Sequence, residues 1–357
     1  MGIKFTSEDW ARIGETYDKW WSKELDRPVI KLTLQKEYSY SGNIPLLAQD
    51  NCHRLDISAE DVVERINLDL ENQEYYGDAF PMFNFDVFGP GLVGAFLGAE
   101  LDNSTGKVWL AFPEKLELKD MHFEYQKDNV WLNRIKDIYN AAHKKWKGNV
   151  LMGMPDLGGV MDILSCVRGA NDLLLDLYDE PDEVKRVSKE IQDLWIRYYR
   201  ELEEVLQPVN PGYSDWSGLY SSQPSYVVQD DFAYMIGPDM FEEFVVDDLT
   251  NLCNTMTNTL YHLDGKGQLN HLPQLMAIES LGAIQWCLGD MAPSCKEWMD
   301  VYRSIRKSGK NMQILGDETD FAAIAKEIGA KGLYQGFTRP YAQKERMLRH
   351  MEQYGVR

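Results

Sequence analysis

The chain has few thiols, and none of them forms a motif. Its 357 residues include five cysteines, an odd number, at positions 52, 166, 253, 287 and 295, with no C-x-x-C pair. Scattered cysteines of this kind argue against a disulfide framework, and they are typical of proteins from a reducing compartment. We therefore expect a cytoplasmic protein.

Positive charge is also scarce. Lys and Arg number 37 against 57 Asp and Glu, which gives a formal net charge of −20. Such a surface repels nucleic acid and anionic membranes, and it disfavours substrates that carry many negative charges. The sequence contains no apolar run of bilayer length and no secretory signal at its start. We expect a partner that is a small molecule, with no nucleic acid and no membrane among the partners.

What the sequence does contain is a regular alternation of apolar strand patterns and amphipathic helix patterns. Eight strands are predicted, near 28–34, 80–87, 149–154, 212–216, 258–264, 283–288, 311–316 and 332–337. Eight units of one strand and one helix predict a TIM (β/α)₈ barrel. A doubly wound open sheet is the alternative, but no G-x-G-x-x-G follows the first strand.

A helical arm is predicted ahead of the first strand. Trp10, Ile13, Tyr17 and Trp20 recur at helical spacing, and Thr6 is placed to cap the helix. No low-complexity linker interrupts the chain. We therefore predict a single domain over residues 1–357, with residues 1–27 as the N-terminal arm.

The strongest candidate site residues are His262 and Asp264, in the segment TLYHLDG. They are two positions apart on a predicted strand, so both side chains point to the same face. In a TIM barrel the active site lies at the carboxyl ends of the strands, where this segment ends. The pair suits metal chelation or acid/base catalysis. The alternative is a buried histidine followed by an aspartate that begins a turn at Gly265.

Two further acidic groups are candidates. Asp86 follows a predicted strand and precedes a Gly-Pro turn, so it is either a catalytic carboxylate or a cap. Asp230 and Asp231 are adjacent in a predicted loop. Such pairs are usually solvated, but a loop that covers the barrel mouth would bring Asp231 inward to bind substrate.

The remaining candidates are large or soft side chains near strand ends. Trp216 and Trp286 are interpreted as flat walls of a substrate pocket, with a role in the core as the alternative. Cys287 ends the sixth predicted strand. It is either a buried small hydrophobic residue or a metal ligand.

Several segments together resemble the uroporphyrinogen decarboxylase superfamily. They are DRPVIKLTL, DLLLDLYDEPDEVKRV, QDDFAYMIGPDMFEEFVV, TLYHLDG, and AIQW followed by KNMQILGD, and they extend from about residue 27 to the end. Their order and spacing carry the resemblance more than any single motif does. It implies a TIM barrel, and an activity either of the haem-pathway decarboxylases or of the zinc-dependent methyltransferases that work with corrinoid proteins.

The decarboxylase branch matches this sequence poorly. Its members carry arginines just after the first strand to hold propionates, whereas this chain reads LQKEYSYSG there. The histidine that the resemblance implies after the last strand is also missing from YQGFTRP. We predict that the protein does not decarboxylate uroporphyrinogen.

The methyltransferase branch matches better. Its members carry H-x-C after the fifth strand and a further cysteine after the eighth, and these residues bind zinc. His262 matches the histidine, Asp264 occupies the position of the first cysteine, and GFTRP offers no cysteine. Zinc accepts carboxylate oxygen, so His262 and Asp264 remain a candidate pair. The third ligand would be Cys287, Glu318 or Asp86.

The resemblance therefore predicts a corrinoid-linked methyltransferase or demethylase that acts on a small neutral or weakly charged methylated compound. His262, Asp264 and Cys287 would bind zinc, and Asp86 would be a second acid/base group. The corrinoid would be carried by a partner protein, and the sequence leaves a homodimer open. Two alternatives remain: a metal-free decarboxylase or lyase that acts on a small carboxylate, and a non-catalytic barrel that binds a small molecule.

Overall fold

The structure is a computed structural model that describes residues 2–289 and 291–357. Within these ranges the chain forms thirteen α-helices: α1 (Ser7–Trp21), α2 (Ala59–Glu71), α3 (Leu92–Phe96), α4 (Val130–Trp146), α5 (Val160–Arg168), α6 (Ala170–Asp179), α7 (Pro181–Leu206), α8 (Pro238–Phe244), α9 (Val246–Thr255), α10 (Leu272–Ala277), α11 (Met299–Ser308), α12 (Glu318–Ile328) and α13 (Lys344–Glu352).

Eleven strands lie in the same described ranges: β1 (Val29–Gln35), β2 (Gln73–Gly77), β3 (Met82–Phe83), β4 (Glu100–Asp102), β5 (Trp109–Ala111), β6 (Leu151–Met152), β7 (Ser225–Gln229), β8 (Asn258–Asp264), β9 (Ala283–Cys287), β10 (Asn311–Ile314) and β11 (Leu333–Pro340). Seven of them form one sheet in the order β2-β1-β11-β10-β9-β8-β7. All neighbours in this sheet are parallel except β2, which runs antiparallel to β1. The fold is therefore mixed α/β with a mostly parallel central sheet.

Two smaller sheets complete the strand pairing. β3 pairs with β6 in parallel, and β4 pairs with β5 as an antiparallel hairpin. The hairpin lies in the stretch that the sequence predicts as an excursion from the main fold. No helix in the described part of the chain has both the length and the apolar character needed to cross a bilayer.

The predicted strand at 212–216 is wrong. That segment makes an isolated antiparallel bridge between Tyr213 and Ser221, and its Ser214 carbonyl accepts from the Met154 amide, but it forms no strand. The strand is instead β7, in a stretch that the sequence analysis reads as loop. All five of its residues are buried, so it lacks the alternation of polar and apolar residues that marks a half-exposed strand. The other seven predicted strands overlap observed ones.

The segment SAEDVVERINLDLENQEYYG, residues 58–77, has the pattern of one continuous helix, but the helix is shorter than that pattern predicts. α2 ends at Glu71, and the residues that follow form β2 at the edge of the main sheet. Lys31 in β1 pairs with Gly77, whose φ is +63°. A Cβ at Gly77 would lie 2.7 Å from the carbonyl oxygen of Ile30, so this close approach of β2 to β1 requires glycine.

Helix α1 covers the amino ends of the parallel strands. The Trp20 indole donates to the carbonyl of Leu333 (3.2 Å), and the Asn311 amide donates to the carbonyl of Trp20 (2.7 Å). Leu333 and Asn311 are the first residues of β11 and β10. A second hydrophobic cluster, which we call the floor, forms here from Phe5, Trp10, Ile13, Tyr17, Trp20, Val29, Phe80, Leu151, Leu219, Tyr220, Val227, Leu260, Ala283 and Tyr334.

The floor also identifies the inner face of each strand. Leu260 of β8 and Ala283 of β9 belong to the floor, whereas Tyr261 and Ile284 belong to the larger cluster that packs against the helices. Because side chains alternate along a strand, the inner residues further along β8 and β9 are His262, Asp264, Gln285 and Cys287. These side chains lie beyond the floor, toward the carboxyl ends of the strands.

Candidate active site at the carboxyl ends of the strands

His262, Asp264 and Cys287 come together on the inner face of two neighbouring strands. Asp264, the last residue of β8, is in register with Cys287, the last residue of β9. Each of the three residues offers one ligand atom, and these atoms lie within 4.8 Å of one another. The Gly265 amide donates to the carbonyl of Cys287 (3.0 Å) and so ties the two strand ends together. Its φ of +75° favours glycine directly after Asp264.

A relay of two glutamines fixes the orientation of the His262 imidazole. The Ser217 carbonyl can only accept, and it accepts from Gln313 Nε2 (2.9 Å). This leaves Gln313 Oε1 to accept from Gln285 Nε2 (2.9 Å), and Gln285 Oε1 therefore faces His262 Nδ1. An amide oxygen only accepts, so Nδ1 carries the proton and Nε2 presents its lone pair.

The His262 ring is held in an apolar surrounding. The Trp216 ring lies edge-on to it, with centroids 4.9 Å apart and an interplanar angle of 83°. Burial lowers the pKa of His262, and this effect outweighs those of Gln285 and Asp264, which favour the charged form. A neutral imidazole with a free Nε2 is the form that binds metals.

Asp264 and Cys287 supply an oxygen and a sulfur beside that nitrogen. Asp264 Oδ1 is buried and makes no hydrogen bond to any of the described residues. Burial raises the pKa of Cys287 to about 11, and the neighbouring Asp264 carboxylate adds to this effect. A buried carboxylate oxygen without a donor is costly unless a cation or proton reaches it. The three donors are a nitrogen, an oxygen and a sulfur, a set that suits zinc.

The two other residues considered as third ligands lie apart from this set. Glu318 pairs with Arg346 (2.8 Å) and also approaches Arg339 (4.0 Å). Asp86 lines a separate cavity of about 490 Å³, together with Asn84 and Lys107. Across residues 2–289 and 291–357, the only clustered metal-ligand set is His262, Asp264 and Cys287.

The two residues of the acidic pair Asp230–Asp231 have different positions and different roles. Asp230 caps a short 3-10 helix (Asp231–Met235) by accepting from the Ala233 amide (3.1 Å), so its role is structural. Asp231 lines a cavity of about 340 Å³. Burial, followed by the charges of Asp162 and Asp264, raises the pKa of Asp231 to about 7. Asp231 is exposed at the rim of this cavity, and it lies near enough to Asp264 for the charge of that carboxylate to act on it.

Asp162, in α5, holds that loop in place. Its carboxylate accepts from the Phe232 amide (2.7 Å) and from the Gly159 amide (3.2 Å). Burial raises the pKa of Asp162, and these amide donors oppose the effect. Asp156 shows how close the acidic groups are to one another. Burial raises its pKa well above the usual range, and Asp231, Asp162 and Asp86 all add to the rise.

Trp286 does not wall the pocket, so that prediction is wrong. It lies between Gln285 and Cys287, both inner residues, and its side chain therefore points outward. Its ring is fully buried in the helix-facing core, 5.4 Å from the ring of Trp298. Trp216 does lie beside His262, although it is carried by a loop rather than by the predicted strand.

Sequence reasoning missed Asp162, Gln285 and Gln313. The two glutamines carry a signal that was available, because each is a polar residue inside a short apolar strand. Polar groups in such positions need a partner. A further cavity, of about 660 Å³, lies between α8, α9 and α10, and none of the predicted site residues lines it.

Comparisons with known proteins give a likeness of fold. No protein-family model matches the chain, and no curated protein matches it by sequence. A methyltransferase from Methanosarcina mazei is similar in structure, with a TM-score of 0.61, 11% identity, and coverage of 96% of this chain and 99% of that one. A mandelate racemase/muconate lactonizing enzyme from Sulfitobacter sp aligns at a TM-score of 0.35 and 12% identity, over 94% of this chain and 61% of that one. The chain therefore shares its overall fold with a methyltransferase.

Proposed function

We propose that the protein is a corrinoid-linked methyltransferase or demethylase of the uroporphyrinogen decarboxylase superfamily, acting on a small methylated compound. The observation that carries the proposal is the set His262, Asp264 and Cys287 on the inner face of β8 and β9. The shared fold with the Methanosarcina methyltransferase supports it. Zinc is the metal that we assign to the set.

The proposal includes a TIM barrel as the architecture. Eight strands belong to parallel pairings: β1, β3, β6 and β7 to β11. Two hydrogen-bonded links support closure of the ring. The Asp78 amide donates to the carbonyl of Ile30 (3.0 Å) between β1 and β3. Between β6 and β7, Met154 N–H donates to the Ser214 carbonyl (2.8 Å), and Val227 N–H donates to Asp215 Oδ2 (2.7 Å).

When bound, zinc supplies a Lewis acid that polarises the heteroatom carrying the methyl group. The chain's own residues do the rest. Gln285 and Gln313 orient the imidazole, and the Trp216 ring packs beside it in a T-shaped contact. In this proposal Asp231, which lines the 340 Å³ cavity, would exchange a proton with the demethylated heteroatom. Asp86, in the neighbouring cavity, is a second acid/base group in this proposal.

A partner protein would bring the corrinoid to the carboxyl ends of the strands. Large apolar side chains are exposed in segments that follow these ends: Tyr40 after β1, Tyr234 and Met235 after β7, Leu315 after β10 and Tyr341 after β11. The carboxyl ends of parallel strands meet at one edge of a sheet, so these side chains surround the candidate site. Exposed apolar groups clustered in this way are typical of protein interaction surfaces.

The test is the metal content of purified wild type, His262→Ala and Asp264→Ala. We expect about one zinc per wild-type chain and a loss of stoichiometric zinc in both variants, because two remaining ligands rarely hold zinc. His122→Ala is the matched control, since His122 is exposed and pairs only with surface groups. Equal zinc in all four proteins would remove His262 and Asp264 from any metal role.

One observation favours a second function, a metal-free decarboxylase or lyase. Asp86, Asp156, Asp162 and Asp231 form a group of carboxylates whose pKa values are raised, in each case mainly by burial. Groups of this kind can hold and release protons near neutral pH. Turnover that survives chelation but is lost in His262→Ala would favour this second function over methyl transfer.

A further inference from the structure

Lys31 is a half-buried lysine without a counter-ion among the described residues. It lies on β1 two residues after Val29, which belongs to the floor, so its side chain points to the same inner face. Lys31 makes no ion pair with any residue in the described ranges, although the chain contains 57 Asp and Glu. Solvent reaches it only in part. An unpaired buried ammonium is costly, so its presence here requires an explanation.

The contacts of Lys31 do not satisfy it. Nζ donates to the carbonyl of Gly218 (3.3 Å) and to Met82 Sδ (3.2 Å), a weak acceptor, and it lies 4.1 Å from the centroid of the Phe80 ring. An ammonium has three donors, so one remains without a partner among the described residues. Burial alone lowers the pKa of Lys31 to about 7, and no neighbouring charge opposes the effect.

One short segment, Trp216–Gly218, contacts both Lys31 and the metal-ligand set. Trp216 packs against His262 at one end of this segment, and Gly218 accepts from Lys31 at the other.

The same segment borders a polar space. Asn84 Nδ2 donates to the Trp216 carbonyl (3.4 Å), and Asn84 lines the 490 Å³ cavity. Asn84 Oδ1 and Trp216 Nε1 are buried and make no hydrogen bond to any described residue. Two donors at the Trp216–Gly218 segment, Lys31 Nζ and Trp216 Nε1, therefore have unused hydrogen-bonding capacity.

We propose that Lys31 binds a carboxylate group of the substrate, so that the substrates are small methylated compounds carrying one carboxylate. The substrate part of this inference rests on the proposed methyl transfer, whereas carboxylate binding at Lys31 does not depend on zinc. A bound carboxylate supplies the counter-ion that the chain lacks at this position, and it accepts the free ammonium donor.

The test uses metal-free protein and two probes of equal length, sodium butyrate and butyramide, with binding measured by NMR titration. Wild type should bind butyrate about tenfold or more tightly than butyramide, as a charge-assisted hydrogen bond predicts. Lys31→Met should lose this preference. Lys36→Met is the matched control, because Lys36 is a surface lysine that pairs with Glu74, and it should retain the preference. Equal butyrate binding by wild type and Lys31→Met would overturn the proposal.

A second measurement needs no variant. An amine with a pKa near 7 reacts with an acetylating reagent at neutral pH, and mass spectrometry reports acetylation at Lys31 itself. Butyrate should slow this acetylation at least tenfold at saturation, and butyramide should not; equal rates with both probes would overturn the proposal. If the protein holds no zinc as purified, yet binds butyrate in a Lys31-dependent way, only the metal assignment is contradicted. Bound zinc without butyrate selectivity would contradict only the carboxylate subsite.

Discussion

The two ends of the parallel strands are built from opposite kinds of side chain. At the amino ends, α1 and the floor bury Trp20, Tyr17 and Phe80 almost completely, in edge-to-face and tilted ring contacts. At the carboxyl ends the inner residues are His262, Asp264 and Cys287, and a buried carboxylate oxygen has no hydrogen-bond donor in the described chain. The amino ends gain stability from apolar packing. The carboxyl ends are less stable because polar groups lie together there.

This difference indicates that residues at the carboxyl ends of the strands can be substituted without loss of the fold. The floor covers the amino ends of the strands, where no chemistry is proposed. Its residues therefore contribute to packing alone. The carboxyl-end residues are held by polar relays such as Gln285 to Gln313 to Ser217. Substitutions at the two ends should therefore separate stability from metal binding.

The largest expected effect belongs to Trp20→Ala at the floor. Trp20 is fully buried and donates to the Leu333 carbonyl, so truncation should lower the free energy of unfolding by about 3–5 kcal/mol. Chemical denaturation measures the change. Trp109→Ala is the control, because Trp109 is 64% exposed, and it should change stability by about 0.5 kcal/mol or less. The folded fraction of Trp20→Ala should still bind zinc as wild type does. A loss below about 1 kcal/mol would contradict a stabilising floor.

A smaller effect is expected from Gln285→Leu at the other end. This change removes the acceptor that holds His262 Nδ1–H and the donor to Gln313. Residues that orient a metal-ligating histidine typically contribute 10–100-fold to affinity, so zinc binding should weaken by about that factor. Competition with a chromophoric chelator measures it. Gln274→Leu, at an exposed site on α10, should leave zinc affinity unchanged. An unchanged affinity in Gln285→Leu would show that the amide relay does not position the histidine.

Part of the contrast between the two ends of the strands could be predicted from the sequence. The period of two in TLYHLDG was enough to place His262 and Asp264 on one face of a strand, and α1 formed where its aromatic spacing predicts it. The same alternation of side chains, applied to AIQWC, predicts that Trp286 points outward and Cys287 points inward. That error came from reading Trp286 by residue type rather than by its position in the strand.

Other features depended on information that the sequence does not hold locally. The pairing of Asp264 with Cys287 follows from the register between β8 and β9, which joins residues 23 positions apart. β7 was missed because a fully buried strand shows no alternation. The loop that carries Trp216 reaches His262 only through tertiary contacts with Asn84, Gln313 and Val227.

The smallest expected effect tests whether Asp side chains with raised pKa values occur only at the carboxyl ends of the strands. Asp248, in the first turn of α9, lies outside both ends, and burial raises its pKa to about 6. Gln192 donates to its carboxylate (2.9 Å). A folded pKa above the unfolded value of 3.8 means that the folded state binds more protons between these two values. Stability is therefore lost as pH rises from about 4 to about 6, and Asp248→Asn removes this loss.

Asp248→Asn should accordingly be more stable than wild type at pH 7.5, by roughly 1 kcal/mol after allowance for solvent screening and for the favourable helix dipole. At pH 4 the two proteins should unfold at the same denaturant concentration, because the carboxyl group is then largely protonated in the folded protein. Asp247→Asn is the matched comparison, since Asp247 is the exposed neighbour on the same helix turn; its charge adds to the pKa of Asp248, so its gain at pH 7.5 should be present but smaller. A gain in Asp248→Asn that is equal at both pH values would mean that shape or helix propensity causes it. The expected pH-dependent gain would show that burial, together with the charges of Asp247 and Asp193, raises a carboxyl pKa away from the candidate site. The raised pKa values of Asp231 and nearby carboxyl groups would then indicate a site only because these groups lie close to the His262, Asp264 and Cys287 set.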